Sequence, residues 1–206
     1  MIASEGYIGY IGFPYDAILA RLVDDPDMSA RDLSLVIIEE FSSLLSQPPY
    51  MSEVVTAQSA IALNEIDEVV GNLGTLTQLL TEEMEQYVGI ITAVRSRSML
   101  PWGEYEIGIV DLKTLVEHIG ERAPESSAIK EASLAVLTSL DRAVLGVGTT
   151  MVTETLPFEG MGVFFPPSSN AFEHHLPTAL ALYETFAFAQ DGWLDFLETY
   201  WESGPH

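Results

Sequence analysis

The sequence contains no cysteine among its 206 residues. A thiolate nucleophile, a disulfide bond and a cysteine-ligated zinc site are therefore excluded for this chain. It also has no G-x-S-x-G nucleophile elbow, no P-loop and no G-x-G-x-x-G dinucleotide motif. No motif for covalent catalysis or nucleotide binding is thus present, and no catalytic residue is predicted.

Basic residues are scarce, because 8 lysines and arginines stand against 31 acidic residues, for a formal net charge of −23. Such a field repels phosphate groups, so we expect no nucleic-acid partner and no anionic membrane as a partner. The favoured interpretation is a solvated surface that keeps the protein soluble, ahead of attraction for cationic substrates or calcium. Hydrophobic residues make up 48% of the chain, which argues against disorder and for a substantial core.

Long hydrophobic runs are missing too. No stretch approaches the roughly twenty apolar residues of a transmembrane helix, so none is predicted. The first residues lack the basic and apolar regions of a signal peptide, and none is expected. No repeat of fixed period is found. The compartment stays unassigned.

Two clusters invite a metal hypothesis. Asp24, Asp25 and Asp27 could ligate calcium, but they lack the glycine and distal glutamate of a calcium loop, and acidic residues before a helix are common. His174 and His175 are adjacent, and neighbouring side chains diverge too far to chelate one ion readily. No metal and no other cofactor is therefore predicted, although the acidic cluster leaves calcium open as an alternative.

Strands and helices alternate along the chain, which predicts an α/β fold with an excess of helix. Apolar periodicity predicts strands at 1–4, 54–63, 147–155 and 161–165, and helices at 14–22, 29–47, 64–98 (broken near Glu82 and Glu83), 111–120, 125–144, 176–190 and 191–202.

Four residues mark predicted helix ends. Ser29, Asn64 and Asp111 stand where a side chain can cap a helix N-terminus. Gly120 stands where a left-handed C-terminal cap is expected.

Two apolar patterns predict which surfaces are buried. From Tyr15 to Leu22, apolar residues recur at i, i+3, i+4 and i+7, so one face of the first helix is apolar. Between residues 54 and 63 the alternation predicts a strand with one buried face, and with Thr56 and Gln58 on a partly polar face.

The first twenty-two residues carry a family resemblance. Ala3-Ser4-Glu5, followed by G-F-P-Y-D-A-I-L at 12–19, resembles the segment just after the catalytic cysteine in clostripain-like cysteine peptidases. There a strand ending in S-E-E and a glycine loop precede G-W-P-Y-D-x-I-L at the start of a helix. The likeness extends over nearly the whole chain, through the segments 27–29, 56–63, 162–166 and 193–200.

This resemblance implies the C-terminal part of a caspase-like α/β/α sandwich with additional helices. Residues 1–99 would complete the peptidase domain, and residues 100–206 would form an α/β subdomain packed on it. The family's catalytic cysteine and histidine lie upstream of the matched segment. The chain would therefore shape a substrate site without performing the chemistry, and we expect it to be inactive alone.

The resemblance also implies a substrate pocket, bordered here by Ser4, Glu5, Gly6, Ile11 and Gly12. In the family this loop flanks the pocket for a basic P1 side chain. The family's loop acid falls at Ile11 and the second glutamate of S-E-E falls at Gly6, so both replacements remove negative charge that would pair with arginine or lysine. Glycines in this loop also suit simple turns, and the sequence leaves both interpretations open.

The implied partners are the upstream catalytic segment and a peptide substrate. An alternative is a stand-alone binding or scaffold module of the same fold that has lost its active site. A third interpretation is a homodimer formed through exposed strand edges, because unpaired edges favour association.

Overall fold

The structure is a computed structural model, and it describes residues 1–4, 12–48, 56–99, 108–149, 158–171 and 183–204. It is a mixture of helix and sheet, which confirms an α/β fold in the general sense. The described elements are β1 (Ile2–Ser4), α1 (Tyr15–Asp24), α2 (Ala30–Leu45), β2 (Ala57–Ile61), a 3₁₀ turn (Leu63–Glu65), α3 (Ile66–Glu82), α4 (Met84–Ser98), β3 (Ile109–Asp111), α5 (Leu112–Arg122), α6 (Ala128–Ala143), β4 (Val144–Thr149), β5 (Gly162–Phe164), a π-helical turn (Ala189–Trp193) and α7 (Leu194–Ser203).

The described strands form two small antiparallel sheets. The larger has the order β1-β2-β4, and the smaller pairs β3 with β5. In the larger sheet Ser4 lies opposite Gln58, which lies opposite Gly148. This row shares one face of the sheet, since directly paired residues point the same way.

β2 is buried along its whole length, so the prediction of a half-polar strand was wrong. The reason is that both faces of the sheet are covered. On one face α2 lies so close that a Cβ on Gly148 would be 2.3 Å from Ile38 Cγ2. On the other face Gly160 approaches Ser59 and β4. Polar residues in this strand are therefore sealed inside the protein.

The main core is helical. It is formed by α3 to α6, the β3-β5 pair and α7, and it includes buried residues on both sides of position 99. The division of the chain at residues 99 and 100 stays a prediction. The largest fully buried side chains of this helical core are those of Trp193, Phe165, Phe196, Leu76, Leu80, Ile91, Leu115, Ile119, Ile129 and Leu140.

Two of the predicted N-terminal caps are confirmed. Ser29 Oγ accepts a hydrogen bond from the Asp32 backbone N–H at 3.1 Å. Asp111 Oδ1 accepts from the Thr114 N–H at 2.7 Å. The predicted break is confirmed as well, because α3 ends at Glu82 and α4 begins at Met84.

Two other predicted helix ends were wrong. Asn64 does not cap α3, because the chain first forms a 3₁₀ turn and the Asn64 amide donates to Glu65 Oε1 at 2.5 Å. Gly120 lies inside α5, which continues to Arg122. A Cβ at Gly120 would lie 3.1 Å from the Cβ of Ser133 in α6, so its small size serves the packing of two helices.

The apolar face of α1 is largely uncovered. Ile18 is buried, but Tyr15 is 67% exposed, Leu19 55% and Val23 77%. The main packing partner of α1 among the described elements is α2, and Ile18 supplies the buried contact. The exposed residues recur every four positions and form a stripe along the helix, which we call the α1 stripe (Tyr15, Leu19 and Val23).

Candidate functional site

A groove of about 400 Å³ lies where the edge strand β1 meets α1. Its described lining combines residues of β1 and β2, of the helices α1 and α2, and Phe13 just before α1: Ile2, Ala3, Ser4, Phe13, Tyr15, Ile18, Ile37 and Gln58. We call this cavity the β1 groove. Of the predicted pocket residues, Ser4 lines it, and Gly12 precedes the lining residue Phe13. Glu5, Gly6 and Ile11 lie outside the described residues.

Local contacts fix the walls of the β1 groove. Ser4 Oγ donates to the Ala57 carbonyl at 2.9 Å, which holds the end of β1 against β2. The Phe13 ring lies 5.1 Å from the ring of Phe41 in α2. Gly12 has a φ of +71°, in the left-handed region that glycine adopts most readily, so it turns the chain into this wall.

Gln58 is the unusual member of the lining. It is 2% exposed, and its Oε1 has no hydrogen-bond partner among the described residues. Nearby on α2, which covers the same face of the sheet, Ser42 Oγ is also unpaired. An unsatisfied buried polar group costs about 1–3 kcal/mol, so such groups in a folded protein require an explanation.

The groove is electrostatically neutral within the described lining, because none of those eight residues carries a charge. Its walls are mainly aliphatic and aromatic.

A second groove, of about 740 Å³, lies beside the other end of β1 and is bordered by Met1, Glu65 and Arg142. Arg142 already forms ion pairs with Glu65, at 4.0 Å, and with Glu68. Its charge is thus engaged by the protein's own carboxylates. Such half-exposed pairs contribute little energy.

Asp111 is the most buried carboxylate among the described residues, with 0% exposure. Burial raises the pKa of its carboxyl, although hydrogen bonds from the Thr114 and Glu159 N–H groups act in the opposite direction. Oδ1 caps α5, and Oδ2 accepts from the Glu159 N–H at 2.9 Å. Asp111 therefore ties the start of α5 to the segment before β5, which is a structural role.

Arg95 is also buried, at 7% exposure. Its Nε donates to the Phe165 carbonyl at 2.7 Å, and its guanidinium carbon lies 5.5 Å from the centre of the Phe165 ring. A cation over an aromatic face is stabilising. These contacts give Arg95 a structural role, whereas Arg97 is exposed.

The described residues include no group of three or more histidine, aspartate or glutamate side chains arranged to hold a metal ion. Asp24, Asp25 and Asp27 are exposed. His174 and His175 lie outside the described ranges. Calcium binding thus stays an open alternative.

No family model and no curated protein sequence matches this chain. The resemblance to clostripain-like peptidases therefore stays a prediction. In the part of the chain that the structure describes, every helix is too short or too polar to cross a bilayer.

Sequence reasoning missed Gln58 as a site residue, since it placed that side chain on a partly polar strand face. The available signal was a glutamine inside the run A-Q-S-A-I, whose other members are apolar or small. That signal identifies a buried polar residue only when both faces of the strand are known to be covered.

Proposed function

We propose that this chain is the non-catalytic C-terminal portion of a clostripain-like cysteine peptidase of caspase-like fold. It contributes the fold and one wall of the substrate pocket, and another segment supplies the cysteine and the histidine. Ser4, Glu5, Gly6, Ile11 and Gly12 border that pocket. The upstream catalytic segment and a peptide substrate are its partners.

The observation that carries this proposal is the position of β1 at the border of its sheet. Among the described strands β1 pairs with β2 alone. The β1 groove and Tyr15, the first residue of the α1 stripe, lie next to β1. A border strand beside exposed apolar side chains is a surface suited to another protein segment.

The alternative is a stand-alone binding or scaffold module of the same fold. The helical core favours it, because a large cluster of buried apolar residues is supplied by this chain itself. The two functions differ in what covers β1. A stand-alone module binds its ligand there as a stable single chain, whereas a peptidase portion requires the catalytic segment.

The test is co-expression of this chain with the segment encoded in frame upstream of it. The expected result is a complex that co-purifies and cleaves reporter peptides, with cleavage abolished by a thiol-directed inhibitor. The chain alone should cleave none of them. Failure of the two segments to associate, or thiol-independent cleavage by this chain alone, would contradict the proposal.

A homodimer gives a separate signature. Light scattering on the chain alone distinguishes a monomer from a dimer formed through β1 edges. A dimer that persists after the upstream segment is added would show that the edge belongs to a second copy, and would also contradict the proposal.

A further inference from the structure

We infer that the α1 stripe is the docking surface for a basic amphipathic helix, and that Asp16 and Asp24 select the basic character of that helix. That this helix belongs to the upstream catalytic segment rests on the proposed function. The chemistry of the helix rests on the surface of α1 itself.

The first step is the exposed apolar surface. Tyr15, Leu19 and Val23 are 67%, 55% and 77% exposed, and they adjoin because they follow one another at intervals of four residues. At a rise of about 1.5 Å per residue the α1 stripe extends about 12 Å along the helix axis, which matches two turns of a partner helix. Large apolar side chains grouped in this way are typical of a surface that binds another protein.

The second step is the line of residues next to the α1 stripe. One position after each member of the stripe comes a member of what we call the acidic row (Asp16, Ala20 and Asp24), and all three are exposed. On its other side the stripe adjoins Ile18, which is buried. A partner lying on the stripe therefore meets carboxylates on the side that faces solvent.

The third step is that the protein does not neutralise the acidic row. Neither Asp16 nor Asp24 forms an ion pair with a described residue. Every lysine and arginine of the chain lies within the described ranges, so the remaining segments can supply none. The one basic residue of α1, Arg21, already pairs with Glu39 at 3.5 Å and with Glu40 at 3.0 Å. The carboxylates of the acidic row are thus open to the cations of a partner.

Charge also separates this partner from two other occupants. A second copy of the chain would bring another acidic row and another net charge of −23 to the interface, and like charges repel. An anionic membrane surface is repelled for the same reason. A helix with an apolar face flanked by lysine or arginine would instead bury that face on the α1 stripe and place its cations against Asp16 and Asp24.

The first test titrates the chain alone against three labelled peptides of about four helical turns and follows fluorescence anisotropy. The basic amphipathic peptide has a leucine face flanked by lysines, the acidic peptide has glutamate in place of each lysine, and the scrambled peptide keeps the basic composition without a leucine face. We expect the basic amphipathic peptide to bind at least about tenfold more tightly than either of the others. Equal binding of the scrambled or the acidic peptide, or no binding of the basic amphipathic peptide, would overturn the inference.

A variant of the α1 stripe locates the apolar contact. Leu19→Ser should weaken binding of the basic amphipathic peptide about tenfold, with circular dichroism confirming that the variant is folded. Leu134→Ser is the matched control, because Leu134 lies on α6 and is also 55% exposed. It should leave the affinity unchanged. An unchanged affinity in Leu19→Ser, or equal losses in both variants, would overturn the inference.

A double variant of the acidic row locates the charge contact. Asp16→Asn combined with Asp24→Asn should weaken binding of the basic amphipathic peptide about fivefold and reduce its dependence on salt. The matched control is Asp195→Asn combined with Glu198→Gln, which removes the same charge from exposed residues of α7. This control should change the affinity less than about twofold. Equal losses in the two double variants would show that only the overall charge of the protein attracts the peptide, and would overturn the inference.

The last test separates this inference from the proposed function by comparing the chain alone with the co-expressed complex. A complex that cleaves reporter peptides, together with a chain that shows no preference for the basic amphipathic peptide, would support the peptidase function and overturn the inference. Selective binding of the basic amphipathic peptide by the chain alone, with no complex and no cleavage on co-expression, would do the reverse.

Discussion

Two regions of this molecule differ in how completely their buried groups are matched. The first is an aromatic core (Phe165, Trp193, Phe196 and Tyr200), where three rings lie 5.0 to 5.7 Å from the ring of Phe165. Polar atoms at its border are paired. Trp193 Nε1 donates to the Phe164 carbonyl at 3.2 Å, and Tyr200 Oη lies 3.1 Å from Thr92 Oγ1.

The second is the β1 edge region, formed by β1, β2, α1 and α2. Here Gln58 Oε1 and Ser42 Oγ are buried and unpaired, and the α1 stripe is exposed. The aromatic core is therefore matched internally, whereas two polar atoms of the β1 edge region have no hydrogen-bond partner among the described residues.

The largest effect is expected from Phe165→Ala in the aromatic core. Phe165 is 0% exposed and is surrounded by aromatic rings. Its truncation should lower the free energy of unfolding by about 3–5 kcal/mol, through lost burial and the cavity left behind. Denaturant unfolding measures this. Phe186→Ala is the control, because Phe186 is 44% exposed and its truncation should lower the free energy of unfolding much less. Equal losses of unfolding free energy in the two variants would contradict the stabilising role of the aromatic core.

Asp111 provides a pH-dependent test of a buried group that is paired. Because burial raises its pKa, the folded state holds this proton at pH values where the unfolded chain has lost it. Stability should therefore fall as pH rises from about 4 through the raised value, by at most about 1.4 kcal/mol per pH unit. The measurement is the free energy of unfolding of wild type relative to Asp111→Asn across this range. An increase with pH in the stability of wild type relative to Asp111→Asn would contradict this prediction.

The features that sequence predicted correctly depend on neighbouring residues. The caps at Ser29 and Asp111 need a side-chain oxygen three residues before a backbone N–H, and that spacing is visible in the sequence. The helix break was predicted near Glu82 and Glu83, and α3 ends at Glu82. The last helix, predicted at 191–202 from its apolar spacing, is present as α7, and it buries Phe196, Leu197 and Tyr200.

The features that sequence missed depend on what lies across the fold. Gly120 has the same signature whether it ends a helix or admits Ser133 of α6, and only the packing distinguishes them. β3 has three residues, too few for an alternating pattern. The burial of Gln58 depends on α2 and that of Ser59 on the segment around Gly160, both of which lie outside the strand itself. The β1 groove therefore could not be derived from local patterns.

Gln58→Leu should raise stability, unlike most substitutions in a core. Removing an amide whose Oε1 is buried and unpaired relieves its desolvation, and we expect a gain of about 1 kcal/mol in the chain alone. Ser133→Ala is the matched control, because the Ser133 hydroxyl is equally buried but donates to the Ile129 carbonyl at 2.8 Å. That variant should show no gain. Thermal and denaturant unfolding test both, and a loss of stability in Gln58→Leu would show that its amide is satisfied.

The smallest effect on stability is expected from Leu19→Ser in the α1 stripe. Leu19 is 55% exposed, so its replacement should change the free energy of unfolding by no more than about 0.5 kcal/mol. Ile18→Ala, one residue away but buried, should cost about 2 kcal/mol or more. The proposed function adds that Leu19→Ser should weaken association with the upstream segment about tenfold. Because folding of the chain is unaffected, that loss would reflect the interface itself. Unchanged association would mean that the α1 stripe is not where the catalytic segment binds.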